Sequence, residues 1–179
     1  MPEKNEELVR RPVLNLRTIL YAIAFVLIFS LTCVELGLVS EQLHKYGDDY
    51  SNYGSKQYKH ILGLLLFSVI VSLLVMLSHP FVGVPFITVC SLILAVFFGT
   101  AAGVIWQNTG LFWKGTGCRP AESIPENWRP FARECGRVVT IQAVAWSLFG
   151  LYILLFVGTL IHKLKIRARP TPEGFYYNV

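Results

Sequence analysis

Formal charge is scarce in this chain. Only 15% of its 179 residues are Asp, Glu, Lys or Arg, against about 25% in soluble domains, which argues against an ordinary water-soluble domain. The common active-site signatures are missing as well. There is no H-E-x-x-H, no C-x-x-C and no glycine-rich phosphate loop ahead of a basic residue. His44, His60, His79 and His162 are scattered, with no pairing at i, i+3 or i+4. No serine or cysteine nucleophile carries a local signature. We therefore expect no enzymatic activity, no metal and no cofactor. The N-x-S/T sequon is also absent, so a native glycan cannot report topology. The four cysteines do not make a small disulfide scaffold at this length. Neither a tandem repeat nor a soluble domain is evident.

Apolar sequence is what the chain has in quantity. Residues of hydrophobic type make up 54% of it, and the mean hydropathy is +0.51, which places it among membrane proteins. Four apolar segments are long enough to cross a bilayer core of roughly 30 Å. They run from about 18–39, 60–78, 81–106 and 138–161. The expected fold is all-α, an integral membrane antiparallel four-helix bundle. It is preceded by a polar tail over 1–17, with disorder as the default, and followed by a basic tail over 162–179. No removable signal peptide is evident, so the first span is expected to remain as an anchor. The turn Ser78-His79-Pro80 is so short that the second and third spans must be antiparallel neighbours. Pro80 suits a helix start, and Pro85 falls in the first turns of the third span, where a missing N–H is tolerated. His79 is expected to be a solvated turn residue.

The third span organises the rest. Ser91, Ala95, Gly99 and Gly103 recur at every fourth position and so share one helix face. Small residues let backbones approach where lipid removes the hydrophobic drive between helices. The stripe is expected to be a packing seam, inside the bundle or against a second copy. Ala143 and Ser147 in the fourth span form a second small pair, expected to face it. The first span holds one formal charge, Glu35, about a turn from its far end. It reads either as a proton or cation site or as an interfacial acid paired with a loop base; the sequence favours the second. Tyr46, Tyr50, Tyr53 and Tyr58 in the following loop are expected at the lipid headgroup level.

Four spans put both termini on one side. Bases crowd the tails, with Arg10, Arg11 and Arg17 before the first span and Lys163, Lys165, Arg167 and Arg169 after the last. This density favours cytoplasmic termini and suits contact with anionic lipid, at about 1 kcal/mol per base near the surface. Bases placed beside spans do not suggest nucleic-acid binding. The long loop over 107–137 then lies outside the cytosol, where its Cys118 and Cys135 can pair. Such a bridge stabilises by roughly 3 kcal/mol in the chain-entropy model. The alternative is two free thiols on a cytosolic loop. The C-terminal Tyr176-Tyr177-Asn178-Val179 fits a tyrosine-based sorting signal or a PDZ-binding terminus, although an uninformative tail is the simpler reading.

Taken together, the chain resembles MARVEL-domain proteins of the small fungal type. The resemblance covers roughly 14–165. It rests on the four spans, the short turn between the second and third, the run Gly99-Thr100-Ala101-Ala102-Gly103-Val104-Ile105-Trp106, the loop with Cys118 and Cys135, and Gln142-Ala143-Val144-Ala145-Trp146-Ser147-Leu148-Phe149-Gly150. It implies a four-helix bundle with cytoplasmic termini. It also implies roles in vesicle traffic, membrane apposition or lateral membrane domains, without catalysis. Gly110-Leu111-Phe112-Trp113 with the two loop cysteines is similar to the claudin signature, but lies in a different loop and is interrupted by Phe112. The Cys-Cys-Gly motif of tetraspanins is absent. The leading expectation is a non-enzymatic, multi-pass organiser of secretory, endosomal or plasma membrane, acting by self-association and lipid contact. A small channel or transporter subunit using Glu35 is the alternative, and a claudin-like adhesion protein a weaker third.

Overall fold

The computed structural model describes residues 16–79, 81–109, 113–114 and 117–168. Four helices make up the fold: α1 (Leu16–Tyr46), α2 (Lys56–Ser78), α3 (Val84–Thr109) and α4 (Cys135–Ala168). All are long and apolar enough to cross a membrane. Large apolar side chains face outward along every one of them, including Val26, Leu74, Val96 and Leu154. Such a surface is tolerable only in lipid, and the chain is an integral, multi-pass membrane protein.

Local chemistry sets several helix ends. α1 stops where Gly47 takes a φ of +64° and returns its N–H to the Leu43 carbonyl at 2.9 Å, a left-handed terminator that costs glycine little. Ser55 caps α2, its hydroxyl accepting the Tyr58 N–H at 3.2 Å. Between them, the Asp49 carboxylate accepts the Ser51 N–H at 3.0 Å. That bond holds the Asp49 carboxyl below its usual range. α3 is preceded by Gly83, whose carbonyl accepts the Phe86 N–H at 3.1 Å. A 3₁₀ stretch over Glu126–Glu134, led by Pro125, runs directly into α4.

Each helix packs against the next in sequence, and α4 closes the ring against α1. The result is an antiparallel bundle with α3 and α4 in the most extensive contact. Its connections divide into a loop end, holding 47–55 and the described residues between α3 and α4, and a turn end, holding the α2–α3 turn, the start of α1 and the end of α4. The interior is filled by Ile28, Val39, Leu62, Leu65, Leu94, Phe98, Ile105, Ile141 and Leu148, all at 1% exposure or less. A polar tie crosses this apolar core. Thr32 Oγ1 lies 3.2 Å from Ser72 Oγ, which is hydrogen-bonded to the Tyr152 hydroxyl. The Tyr152 ring stacks on Phe98 at 5.8 Å between centroids, so the tie touches all four helices. Buried hydroxyls in a membrane protein need such partners because no water competes for them.

The helices outrun the apolar segments. α1 continues through polar Glu41, Gln42, His44 and Lys45 to Tyr46, and α2 begins at Lys56 rather than about residue 60. Hydrogen-bonding within the helix continues past the apolar window at the end of α1 and before it at the start of α2, so each helix is longer than the apolar segment it contains. α3 starts three residues later than expected and ends at Thr109. The long loop carries a short antiparallel pairing of Trp113–Lys114 (β1) with Gly117–Cys118 (β2) and the 3₁₀ stretch. Pro80, the N-terminal residues 1–15 and the C-terminal residues 169–179, with Arg169 and Tyr176–Val179 among them, lie outside the described residues.

Candidate functional site at the loop end of the bundle

The loop end is assembled by five aromatic rings that close on one another. Tyr46 meets Tyr53 at 5.7 Å between centroids, Tyr53 meets Tyr58 at 6.5 Å, and Tyr58 meets Trp128 at 5.5 Å. Trp128 meets Phe131 at 6.1 Å, and Phe131 returns to Tyr46 at 5.5 Å. The circle joins the end of α1, the 47–55 connection, the start of α2 and the 3₁₀ approach to α4. Tilted and edge-on contacts of this kind add about 0.5–1.5 kcal/mol per pair beyond burial. Tyr53 and Tyr58 are buried, at 6% and 2% exposure. The expectation that these tyrosines lie among lipid headgroups is therefore corrected for them: the rings are consumed by packing against Trp128 and Phe131. Tyr50 remains exposed, with Lys59 Nζ 4.2 Å from its centroid.

An ion-pair lattice lies beside the ring. Glu134 takes both Lys45 and Arg137, the latter at 2.9 Å, and Arg137 reaches Glu41 at 2.7 Å. α1 is thereby tied to the α4 entrance. Below the lattice, a cavity of about 10 Å³ is lined by Gln42, Tyr58, Glu134 and Val138 together with rings of the circle. This is close to the least space that holds one water.

Beneath that lies a set of buried polar atoms without protein partners. Gln42 Oε1, Tyr58 OH, Gln142 Oε1 and both carboxylate oxygens of Glu35 make no hydrogen bond among the described residues. Glu35 is 0% exposed. The expected pairing of Glu35 with a loop base is not found among the described residues; Arg137 and Lys45 are engaged by Glu41 and Glu134 instead. The reason is register: Thr32, Glu35, Val39 and Gln42 follow 3- and 4-residue steps along the buried face of α1, so Glu35 points into the bundle.

The other anticipated residues are distributed as follows. Ser91 and Ala95 are buried, and Gly99 meets α4, where an added Cβ would lie 2.8 Å from the Phe149 ring. A Cβ on Gly103 would touch nothing within 4 Å. The stripe packs within the bundle over its first three members. The expectation that Ala143 and Ser147 face it is overturned, because both are exposed and α4 turns Ile141, Ala145, Leu148 and Tyr152 inward instead. Cys118 and Cys135 are placed as a sulfur–sulfur pair, with Cα atoms 6.2 Å apart, linking the loop to the first residue of α4. His79 is half-buried, hydrogen-bonded to the Tyr21 hydroxyl and edge-on to Phe25, rather than free in a solvated turn. Lys163, Lys165 and Arg167 fall on the last turns of α4, and their side chains lie outside the described residues.

Sequence reasoning did not single out Gln42, Trp128 or Tyr152 as structural centres. Gln42 was legible as a member of the Thr32, Glu35, Val39 series once α1 is carried past Val39. Trp128 carried no such signal, because aromatic residues in a loop do not reveal which surface they cover.

No family model matches this chain, and neither a curated protein nor a solved structure does. The class defined here is therefore the architecture: a four-helix membrane bundle.

Proposed function

We propose that this protein is a MARVEL-like membrane organiser, without catalysis, that gathers membrane subdomains or apposed membranes in vesicle traffic by lateral self-association and lipid contact. The observation that carries the reading is the outward face of α4. Gly136, Thr140, Ala143 and Ser147 are exposed and continue to Gly150 at 3- and 4-residue steps. A Cβ on Gly136 or Gly150 would meet nothing. The hydroxyls on this face are satisfied within the helix, Thr140 bonding the Gly136 carbonyl and Ser147 that of Ala143, both at 2.8 Å. A smooth face of small side chains with no unmet polar group suits close helix contact in lipid.

In this reading the termini are cytoplasmic, and the basic run from Lys163 to Arg169 meets the anionic leaflet. A bond between Cys118 and Cys135 braces the outer loop on α4. The second reading, a channel or transporter subunit, is favoured by the unpartnered Glu35.

Replacing Ala143 and Ser147 together by Leu tests the first reading. Loss of clustering in cells and a smaller detergent-solubilised mass, with an unchanged melting temperature, support it. Unchanged clustering and mass overturn it. Ion or proton flux in proteoliposomes that Glu35→Gln abolishes would favour the second.

A further inference from the structure

We propose that Glu35 is an internal proton-binding site, reached from the loop end of the bundle through buried water held by Gln42, Tyr58 and Gln142. This goes beyond the membrane-organising role and does not depend on it.

The first argument is the lack of any counter-charge. Glu35 is fully buried and neither oxygen has a partner among the described residues. On its own helix, Glu41 and Lys45 are engaged at the surface by Arg137 and Glu134. From α2 the groups to consider are Tyr58, which lies within electrostatic reach, and Lys59, which is paired with Asp48 at 3.6 Å. From α4 they are Arg137, already committed twice, and Tyr152, whose hydroxyl is bonded to Ser72. α3 carries no Asp, Glu, Lys, Arg or His. A bare carboxylate in such surroundings is strongly disfavoured, and a buried acid responds by taking up a proton.

The second argument concerns what fits. Gln42 is two helical turns from Glu35, about 10.5 Å along the axis. A hard cation needs several oxygens within one tight shell, which that separation does not favour. A proton needs no cavity. It arrives on water, forms an O–H bond at one Glu35 oxygen, and leaves to water again, with the carboxylate restored.

The third argument is direction. Among the described residues, the buried side-chain acceptors left without a partner are those of Glu35, of Gln42 and Tyr58 near the loop end, and of Gln142 two turns into α4. The water-sized cavity touches two of these, Gln42 and Tyr58. Towards the turn end the next polar groups, Thr32, Ser72 and Tyr152, bond one another, and Phe98 covers the tyrosine. Orphaned acceptors call for donors, and water is the donor that such a space admits. The path is therefore one-sided.

Infrared difference spectroscopy on the full chain in nanodiscs tests this. At neutral pH the wild type is expected to show the carbonyl stretch of a protonated carboxylic acid, lost in Glu35→Gln and shifted on transfer to D₂O. Gln42→Leu is expected to slow that deuterium shift severalfold while leaving the band in place. If Glu35→Gln does not fold, glutamate labelled with ¹³C in the wild type and a band displaced in Glu35→Asp make the same assignment. The proposal is overturned if the Glu35 signal is that of a carboxylate, if sodium alters it at fixed pH, or if exchange is absent or equally fast in Gln42→Leu.

Discussion

Trp128 occupies the space that a side chain at residue 54 would need: a Cβ on Gly54 would lie 2.5 Å from the indole Cδ2 and Cε3. The 47–55 connection and the 3₁₀ approach to α4 meet at this contact. Gly54→Ala is therefore expected to destabilise by about 1–3 kcal/mol, as overpacking does. Trp128→Ala, which opens the aromatic circle, is expected to cost about 3–5 kcal/mol. Thermal melts in one detergent at fixed lipid content measure both. A Gly54→Ala melt equal to wild type would show that the indole moves aside freely.

Gly99 and Gly103 belong to one stripe but are not equivalent. Gly99→Ala drives a methyl to 2.8 Å from Phe149 and is expected to lower stability by about 1–3 kcal/mol. Gly103→Ala meets open space and gains helix propensity, by up to about 1 kcal/mol. A reversed order in the two melting temperatures would refute the α3–α4 seam as described.

The Thr32–Ser72–Tyr152 tie predicts a measurable coupling. Tyr152→Phe is expected to cost about 0.5–1.5 kcal/mol. A double-mutant cycle with Ser72→Ala is expected to give a coupling near the roughly 0.6 kcal/mol average of membrane hydrogen bonds. Additive effects in the cycle would mean that the bond contributes nothing.

Cys118 and Cys135 are separated by 17 residues. A bond between them is expected to stabilise by roughly 3 kcal/mol in the chain-entropy model. After alkylation, Cys118→Ser should migrate differently from wild type on a non-reducing gel and melt lower. Identical migration would remove the bridge.

The lattice around Glu134 is partly solvent-exposed, so its worth depends on salt. Arg137→Met should weaken the α1–α4 connection by about 1 kcal/mol or less, with the difference from wild type shrinking as ionic strength rises. A salt-independent loss would assign the effect to packing of the arginine stem.

The number of spans, their order and the antiparallel relation of α2 and α3 were legible in the chain as written. They follow from apolar length and from a three-residue turn, which are local quantities. The same information did not show how far α1 and α2 extend beyond their apolar parts, since a helix continues into polar sequence. It left open which face of each helix turns inward. Ala143 and Ser147 look like a seam in sequence, yet they lie outside, because Ile141, Ala145, Leu148 and Tyr152 bury more apolar surface on the opposite face.

Glu35 shows the division most clearly. Its residue type and its place within an apolar segment marked it as costly in the linear chain. Only packing decided that the cost is not met by Lys45 or Arg137, because Glu134 and Glu41 hold these two cations at the surface. The aromatic circle belongs to the same category. Its five members come from separate parts of the chain, and contacts between distant residues exist only once the bundle has closed. Composition and hydropathy thus determined that the chain crosses a membrane four times. Three-dimensional packing alone determined that one end of the bundle carries a circle of aromatic rings above a buried acid with no partner among the described residues.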